Sequence, residues 1–219
     1  WFDSDYLNSR LEELPSNPNS ERRFYREPEV TTEYVIGVDP SWCTGGDFAV
    51  ACVMSEYGEQ VAVFACNQGG EARFAEELVN MSRHYNKARV LCEANTGGAG
   101  RVVIKKLYQE NIPVWKDGKG KDWVTHKGNK EHAYSFARQL VNSDGLEIND
   151  PQTVQEMMHI REERGRIEGQ DGYHNDHADA FVLATWALRR LPGFSGKIRR
   201  QRLRKEKRNP MDKIRMRLQ

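Results

Sequence analysis

Between Tyr34 and Asn67 three runs rich in β-branched and aromatic residues follow one another: YVIGVD (34–39), DFAVACVMSE (47–56) and QVAVFACN (60–67). The connections PSWCTGGD (40–47), with Gly45 and Gly46, and EYGEQ (56–60), around Gly58, leave no room for a helix. Such runs read as strands. Parallel neighbours would need a crossover of roughly a dozen residues or more, so these three form an antiparallel meander. Any fold for this chain has to be built onto that sheet.

The pattern then changes period. EARFAEELVNMSRHYN (71–86) has apolar residues at 74, 78, 81 and 85, the spacing of a helix face. ARVLCEAN (88–95) predicts a fourth strand ending in Glu93, GGAGRVVIKKLYQE (97–110) a helix, and IPVW (112–115) a fifth strand. Strand, helix and strand at this spacing imply parallel pairing through right-handed crossovers. NKEHAYSFARQLVNS (129–143) and PQTVQEMMHIREE (151–163) predict two further helices, the second with Pro151 at its first position. RGRIEGQDGYH (164–174) predicts a hairpin or mobile loop, and HADAFVLATWALRRL (177–191) the last helix. The class is α/β: a mixed five-stranded sheet, meander plus parallel strands, flanked by helices. Residues 1–33, polar and holding Pro15, Pro18 and Pro28, predict an arm or linker, with LNSRLEEL (7–14) a short helix. An ordered arm packed on the body fits that composition equally well. The body runs over 34–195 and a tail over 196–219.

Charge separates tail from body. The net charge is +1, yet residues 197–219 hold eleven Lys or Arg against Glu206 and Asp212, which leaves the rest of the chain acidic. A basic tail of this kind suits nucleic acid or another anionic surface. No apolar run reaches transmembrane length, and no secretory leader is recognisable. Cys43, Cys52, Cys66 and Cys92 include no C-x-x-C pair. Cys52, Cys66 and Cys92 sit inside apolar runs and read as small hydrophobes, and the absence of pairing suits a reducing, intracellular setting. There is no G-x-x-x-x-G-K-[ST], so no phosphate loop for ATP.

Four acids fall at the ends of core elements. Asp39 ends the first strand, Glu93 the fourth, and Asp176 and Asp179 open the last helix. On parallel neighbours Asp39 and Glu93 emerge at the carboxyl edge, where α/β sheets bind ligands. Asp176 and Asp179 are ~60° apart on the helical wheel. Asp176 leads a stripe through Ala180, Leu183 and Ala187. Carboxylates gathered in this way repel one another unless a cation is present. Oxygen donors select Mg²⁺ or Mn²⁺ over Zn²⁺, and a shared carboxylate permits two ions ~3.5–4 Å apart. His174 and His177 lack the HExxH spacing of helical zinc sites. His174 is read as a phosphate contact or an orienter of a carboxylate, and His177 as a solvent-facing bystander. Lys127, Lys130, Arg161 and Arg164 are candidate phosphate contacts at the rim. Trp115 reads as core.

YVIGVDPSWCTGGDFAV, VLCEANTGGAG and GYHNDHADAFVLATWAL together resemble the nuclease domain of the large terminase subunit of tailed bacteriophages. That family has a ribonuclease H-like fold similar to Holliday-junction resolvases, and the resemblance spans about 34–193. It implies a divalent-metal endonuclease that cuts concatemeric double-stranded DNA during viral genome packaging, in the cytoplasm of an infected host cell. Asp39 matches the family's first-strand acid, Glu93 its fourth-strand acid and Asp176 its last-helix acid. Asp179 is the additional acid of the resolvase-like pattern, and either Asp176 or Asp179 could be the inner ligand. RGRIEGQDGYH falls where the family has a hairpin that regulates access. Full large terminases begin with an ATPase motor whose motifs are absent here. The resemblance therefore implies the C-terminal part of a longer protein, with the ATPase domain in cis, and with portal and small terminase subunit as partners. A junction-resolving nuclease, or a non-catalytic DNA-binding or motor-docking module on the same fold, are the alternatives.

Overall fold

The computed structural model describes residues 1–15, 20–94, 98–163 and 165–196. The meander is present as β2 (Tyr34–Asp39), β3 (Ala49–Ser55) and β4 (Gln60–Cys66), each antiparallel to the next. β5 (Arg89–Cys92) lies parallel to β2, with Val38 opposite Cys92. The fifth strand is not 112–115. That segment makes an isolated parallel bridge, Val90 to Val114, held by Val90 N–H to Pro113 O and Trp115 N–H to Val90 O. Pro113 has no N–H to continue a ladder. The fifth strand is β1 (Arg22–Phe24), which pairs antiparallel with β4 and gives the order β1-β4-β3-β2-β5.

Side chains alternate between two apolar layers. Tyr34, Ile36 and Val38 of β2 face one layer, shared with α2 (Gly70–His84) and α3 (Ala99–Gln109). Val35 of β2 and Leu91 of β5 face the other. That layer holds α1 (Ser4–Glu13), α4 (Lys127–Asn142), α5 (Pro151–Met158) and α6 (Asp176–Leu188). The α6 helix lies across β2 and β3, with α4 and α5 packed against it. Every residue of α6 is buried except Asp176 and Asp179.

Gly37 sets how close α6 sits. A Cβ there would lie 2.1 Å from the Ala184 nitrogen and 2.2 Å from the Ala180 oxygen. Gly37 and Asp39 share a strand face by the two-residue period. The glycine that admits the helix therefore aims Asp39 at the helix start. Gly100 acts likewise at the other strand: a Cβ there would lie 1.9 Å from the Glu93 carbonyl oxygen.

The helix expected over 151–163 stops at Met158. Ile160–Glu163 is β6, which pairs with β7 (Arg166–Gly169) as an antiparallel hairpin. The hairpin is as expected but begins four residues earlier than expected. The four cysteines are free and buried, with Cys43 Sγ and Cys66 Sγ 3.5 Å apart. No described helix is long and apolar enough to cross a membrane. The basic tail from residue 197 onward and Arg164 lie outside the described residues.

Candidate active site

Glu93 follows β5 directly, and its N–H donates to Val38 O of β2 at 3.2 Å. Asp39 and Glu93 thus leave the sheet side by side at its carboxyl edge. The first turn of α6 adds Asp176 and Asp179, and α4 adds Lys130 and Tyr134 one turn apart.

The two α6 acids have different surroundings. Asp179 is held by three donors: Tyr134 OH donates to Oδ1 at 2.8 Å, while Asn175 Nδ2 and Lys130 Nζ donate to Oδ2 at 2.7 and 3.2 Å. Asp176 accepts Phe48 N–H at 3.1 Å and has the exposed His174 ring 3.6 Å away. Burial pushes the Asp39 carboxyl well above its ordinary range, reinforced by the charges of Asp179, Glu93 and Asp176 in falling order, with Lys130 opposing. Burial pushes Asp176 up to about 6, aided by Glu156 and Asp47 and opposed by the Phe48 N–H and His174. Of the two helix acids, Asp179 acts on Asp39 more strongly than Asp176 does. Both therefore bear on the strand acid. The ammonium of Lys130 would be lowered by burial alone. Asp179, then Asp39 and Glu93, more than offset this and raise it.

Asp176 holds its proton to a higher pH when folded than when unfolded. It therefore destabilises the fold progressively as pH rises from about 4 to about 6, by up to about 3 kcal/mol. Asp176→Asn is expected to remove that part of the slope, seen as urea midpoints that vary less between pH 4 and 7 than those of the wild type.

The rim residues divide. A cavity of about 340 Å³ between the start of α4 and β7 is lined by His126, Lys127, Lys130 and Arg166, with Glu131 and Glu168. Lys127 is exposed, while Lys130 is turned inward to Asp179. Arg161 reaches across the hairpin to Gln170 Oε1 at 3.4 Å. Trp115 is half-buried beneath Arg89, whose guanidinium carbon lies 4.2 Å from the ring centre. Trp123 is buried and donates to Thr125 Oγ1. Neither ring is free to stack on a base.

His177 corrects its expected place. It does not face solvent: it is buried, with Nδ1 2.8 Å from Glu156 Oε1 and Nε2 2.9 Å from Arg23. Reading α6 alone could not show this, because both partners come from other elements.

Among the described residues no three His, Cys, Asp or Glu side chains already surround a common point as metal ligands do. The donor set nonetheless fits a hard divalent cation. It is all oxygen, and its repulsion is opposed by Lys130.

No protein-family model matches the chain. Among solved structures it is similar to the large terminase nuclease of thermophilic phage G20c with bound magnesium. The TM-score is 0.67 at 18% identity, covering 82% of this chain and 96% of that one. The same nuclease with bound zinc gives 0.63 at 20% identity, over 81% and 96%. The large terminase nuclease domain of Thermus phage P74-26 gives 0.65 at 18% identity, over 83% and 94%. At these identities the likeness establishes architecture, and the mixed sheet with helices on both faces is the architecture expected from the sequence. The chain has the ribonuclease H-like fold of phage large terminase nuclease domains.

Proposed function

We propose that this chain is a divalent-metal endonuclease that cuts double-stranded DNA during phage genome packaging. On this reading 34–195 is the nuclease domain and 196–219 a basic tail, within the C-terminal part of a longer large terminase subunit. The observation that supports it is the charge of Asp179, Glu93 and Asp176 bearing on Asp39 at one sheet edge, with Lys130 as counter-charge. The fold neighbours are nucleases, and one of them holds magnesium, cobalt or zinc in different structures.

Asp39 and Glu93, with Asp179 or Asp176 of the helix, are the residues that would hold an ion. A bound divalent ion, or a pair, supplies Lewis-acid chemistry: it acidifies an attacking water and stabilises the departing oxygen. Lys130 keeps the acids assembled before an ion arrives and fixes Asp179 through its hydrogen bond. Lys127 and Arg166 hold a DNA phosphate at the mouth of the cavity. His174, exposed and seated edge-on against Phe48, is placed to touch the same strand. Such contacts position a duplex without reading its sequence. Arg161 extends the rim along the hairpin, Arg164 is a further proposed phosphate contact from the sequence, and an ATPase domain in cis, a portal and a small terminase subunit complete the proposed assembly.

The test is plasmid nicking by the purified protein in Mg²⁺ or Mn²⁺ titrations, beside Asp39→Asn. A wild type that leaves plasmid intact at every metal concentration and pH would overturn the reading. Lys130→Met is expected to lower stability by about 2 kcal/mol in EDTA, since it strips the cation from a half-buried ion pair. Added Mn²⁺ should recover most of that loss in a thermal melt, because the ion takes over the same charge.

A further inference from the structure

The start of α6 lacks an ordinary cap. Asn175 precedes the helix, but its side chain caps no N–H and turns instead to Asp179. The backbone donors of the first turn go to another helix: Glu156 Oε2 of α5 accepts His177 N–H at 2.7 Å and Ala178 N–H at 3.2 Å. Oε1 of the same carboxylate receives His177 Nδ1 at 2.8 Å and Gln152 Nε2 at 3.2 Å. Behind His177 stands Arg23 of β1, with a guanidinium nitrogen 2.9 Å from Nε2. Arginine has only donors, so Nε2 accepts and the ring proton sits on Nδ1, aimed at Glu156. Arg23 in turn donates through Nε to Asp150 Oδ1 at 2.7 Å, and Asp150 Oδ2 caps α5 at Thr153 N–H, 2.8 Å. Glu156, His177, Arg23 and Asp150 are all buried.

This chain of bonds has an electrostatic consequence. A helix N-terminus carries roughly half a positive charge and attracts anions. The first turn of α6 nevertheless presents Asp179 to the place proposed for a cation. A bare N-terminus there would repel the ion. We infer that Glu156 is a positioning residue for the divalent site: its carboxylate cancels the positive end of α6 and fixes the turn that carries Asp176 and Asp179, with His177 and Arg23 holding it in place. This inference rests on the nuclease reading above. It adds a residue that touches neither ion nor DNA and lies on none of the four acid positions.

The test is Mn²⁺ binding to the folded protein by isothermal titration calorimetry, for wild type, Glu156→Gln and Glu156→Asp, with a thermal melt of each in EDTA. Removing such an outer partner typically costs about 10–100-fold in metal affinity. Glu156→Gln is expected to bind Mn²⁺ at least about tenfold more weakly than wild type. Glu156→Asp, which keeps the charge but withdraws it by one methylene, should fall between the two. A cap with a purely structural role would lower both melting temperatures and leave the affinity of the folded protein unchanged, and that result overturns the inference. If Glu156→Gln does not fold, Glu156→Asp decides: wild-type affinity overturns the inference and weakened affinity supports it. A wild type that binds no Mn²⁺ removes the nuclease reading and this inference together. A wild type that binds and nicks, beside variants of equal affinity, removes this inference alone.

Discussion

Asp39→Asn is expected to abolish metal-dependent nicking while making the metal-free protein more stable. Loss of one ligand at a site that stabilises charge in the transition state removes about 4 kcal/mol, or about 10³-fold in rate. The stability effect has the opposite sign. Burial and three neighbouring carboxylates push the Asp39 carboxyl well above its ordinary range. Its stabilising contribution is greatest at low pH, where both states are protonated, and falls as pH rises from the unfolded value through the folded one. At neutral pH the carboxyl costs the fold free energy, whether it stays ionised beside three acids or takes up a proton, and the amide does not. The melt of Asp39→Asn in EDTA should rise by a few degrees, at ~2–4 °C per kcal/mol for a chain of this size. Its response to Mn²⁺ should shrink. An inactive variant that melts lower than wild type in EDTA would mark Asp39 as a structural strand end.

Gly37→Ala should be among the most damaging single methyl additions in the described residues. The new Cβ would meet backbone, 2.1 Å from the Ala184 nitrogen and 2.2 Å from the Ala180 oxygen. Neither atom can swing aside as a side chain would. β2 is hydrogen-bonded on both edges, to β3 and β5, so it cannot retreat. The helix must lift instead, opening the contact between α6 and the sheet. Overpacking of this kind costs about 3 kcal/mol or more. A shift of about 1 Å in Asp179 relative to Asp39 costs about 10²-fold in rate even where the protein stays folded. Urea denaturation with parallel nicking assays checks both. A Gly37→Ala protein of wild-type midpoint would show that the helix does not bear on this strand.

The parts that sequence predicted well carry their information locally. β2, β3 and β4 alternate or run apolar between short turns, and no other arrangement buries them. The last helix is marked by two acids set before a run that is apolar on every side. Where expectation failed, the deciding partner lay elsewhere in the chain. β1 is Arg-Arg-Phe, a charged triplet that looks like linker, and its pairing is dictated by the open edge of β4. Arg23 lies in that strand yet is buried, because Asp150 and His177 receive its guanidinium. The boundary at Met158 is hidden because Ile160 continues the apolar spacing of α5 into the hairpin. His177 points away from the acid stripe on a helical wheel. Only the presence of α5 on that side turns this direction from solvent to interior.

The burial of α6 also orders events in time. Asp39 is made early, but the helix bearing Asp176 and Asp179 is among the last described elements to leave the ribosome, and it is buried everywhere except at those two acids. So apolar a segment does not persist alone in water; it forms against the finished sheet, α4 and α5. A nascent or truncated chain that lacks α6 therefore has Asp39 and Glu93 without the two helix acids. If the chain cuts DNA as proposed, that capacity would be complete only when α6 docks, and the same helix exposed too long would be an aggregation-prone surface.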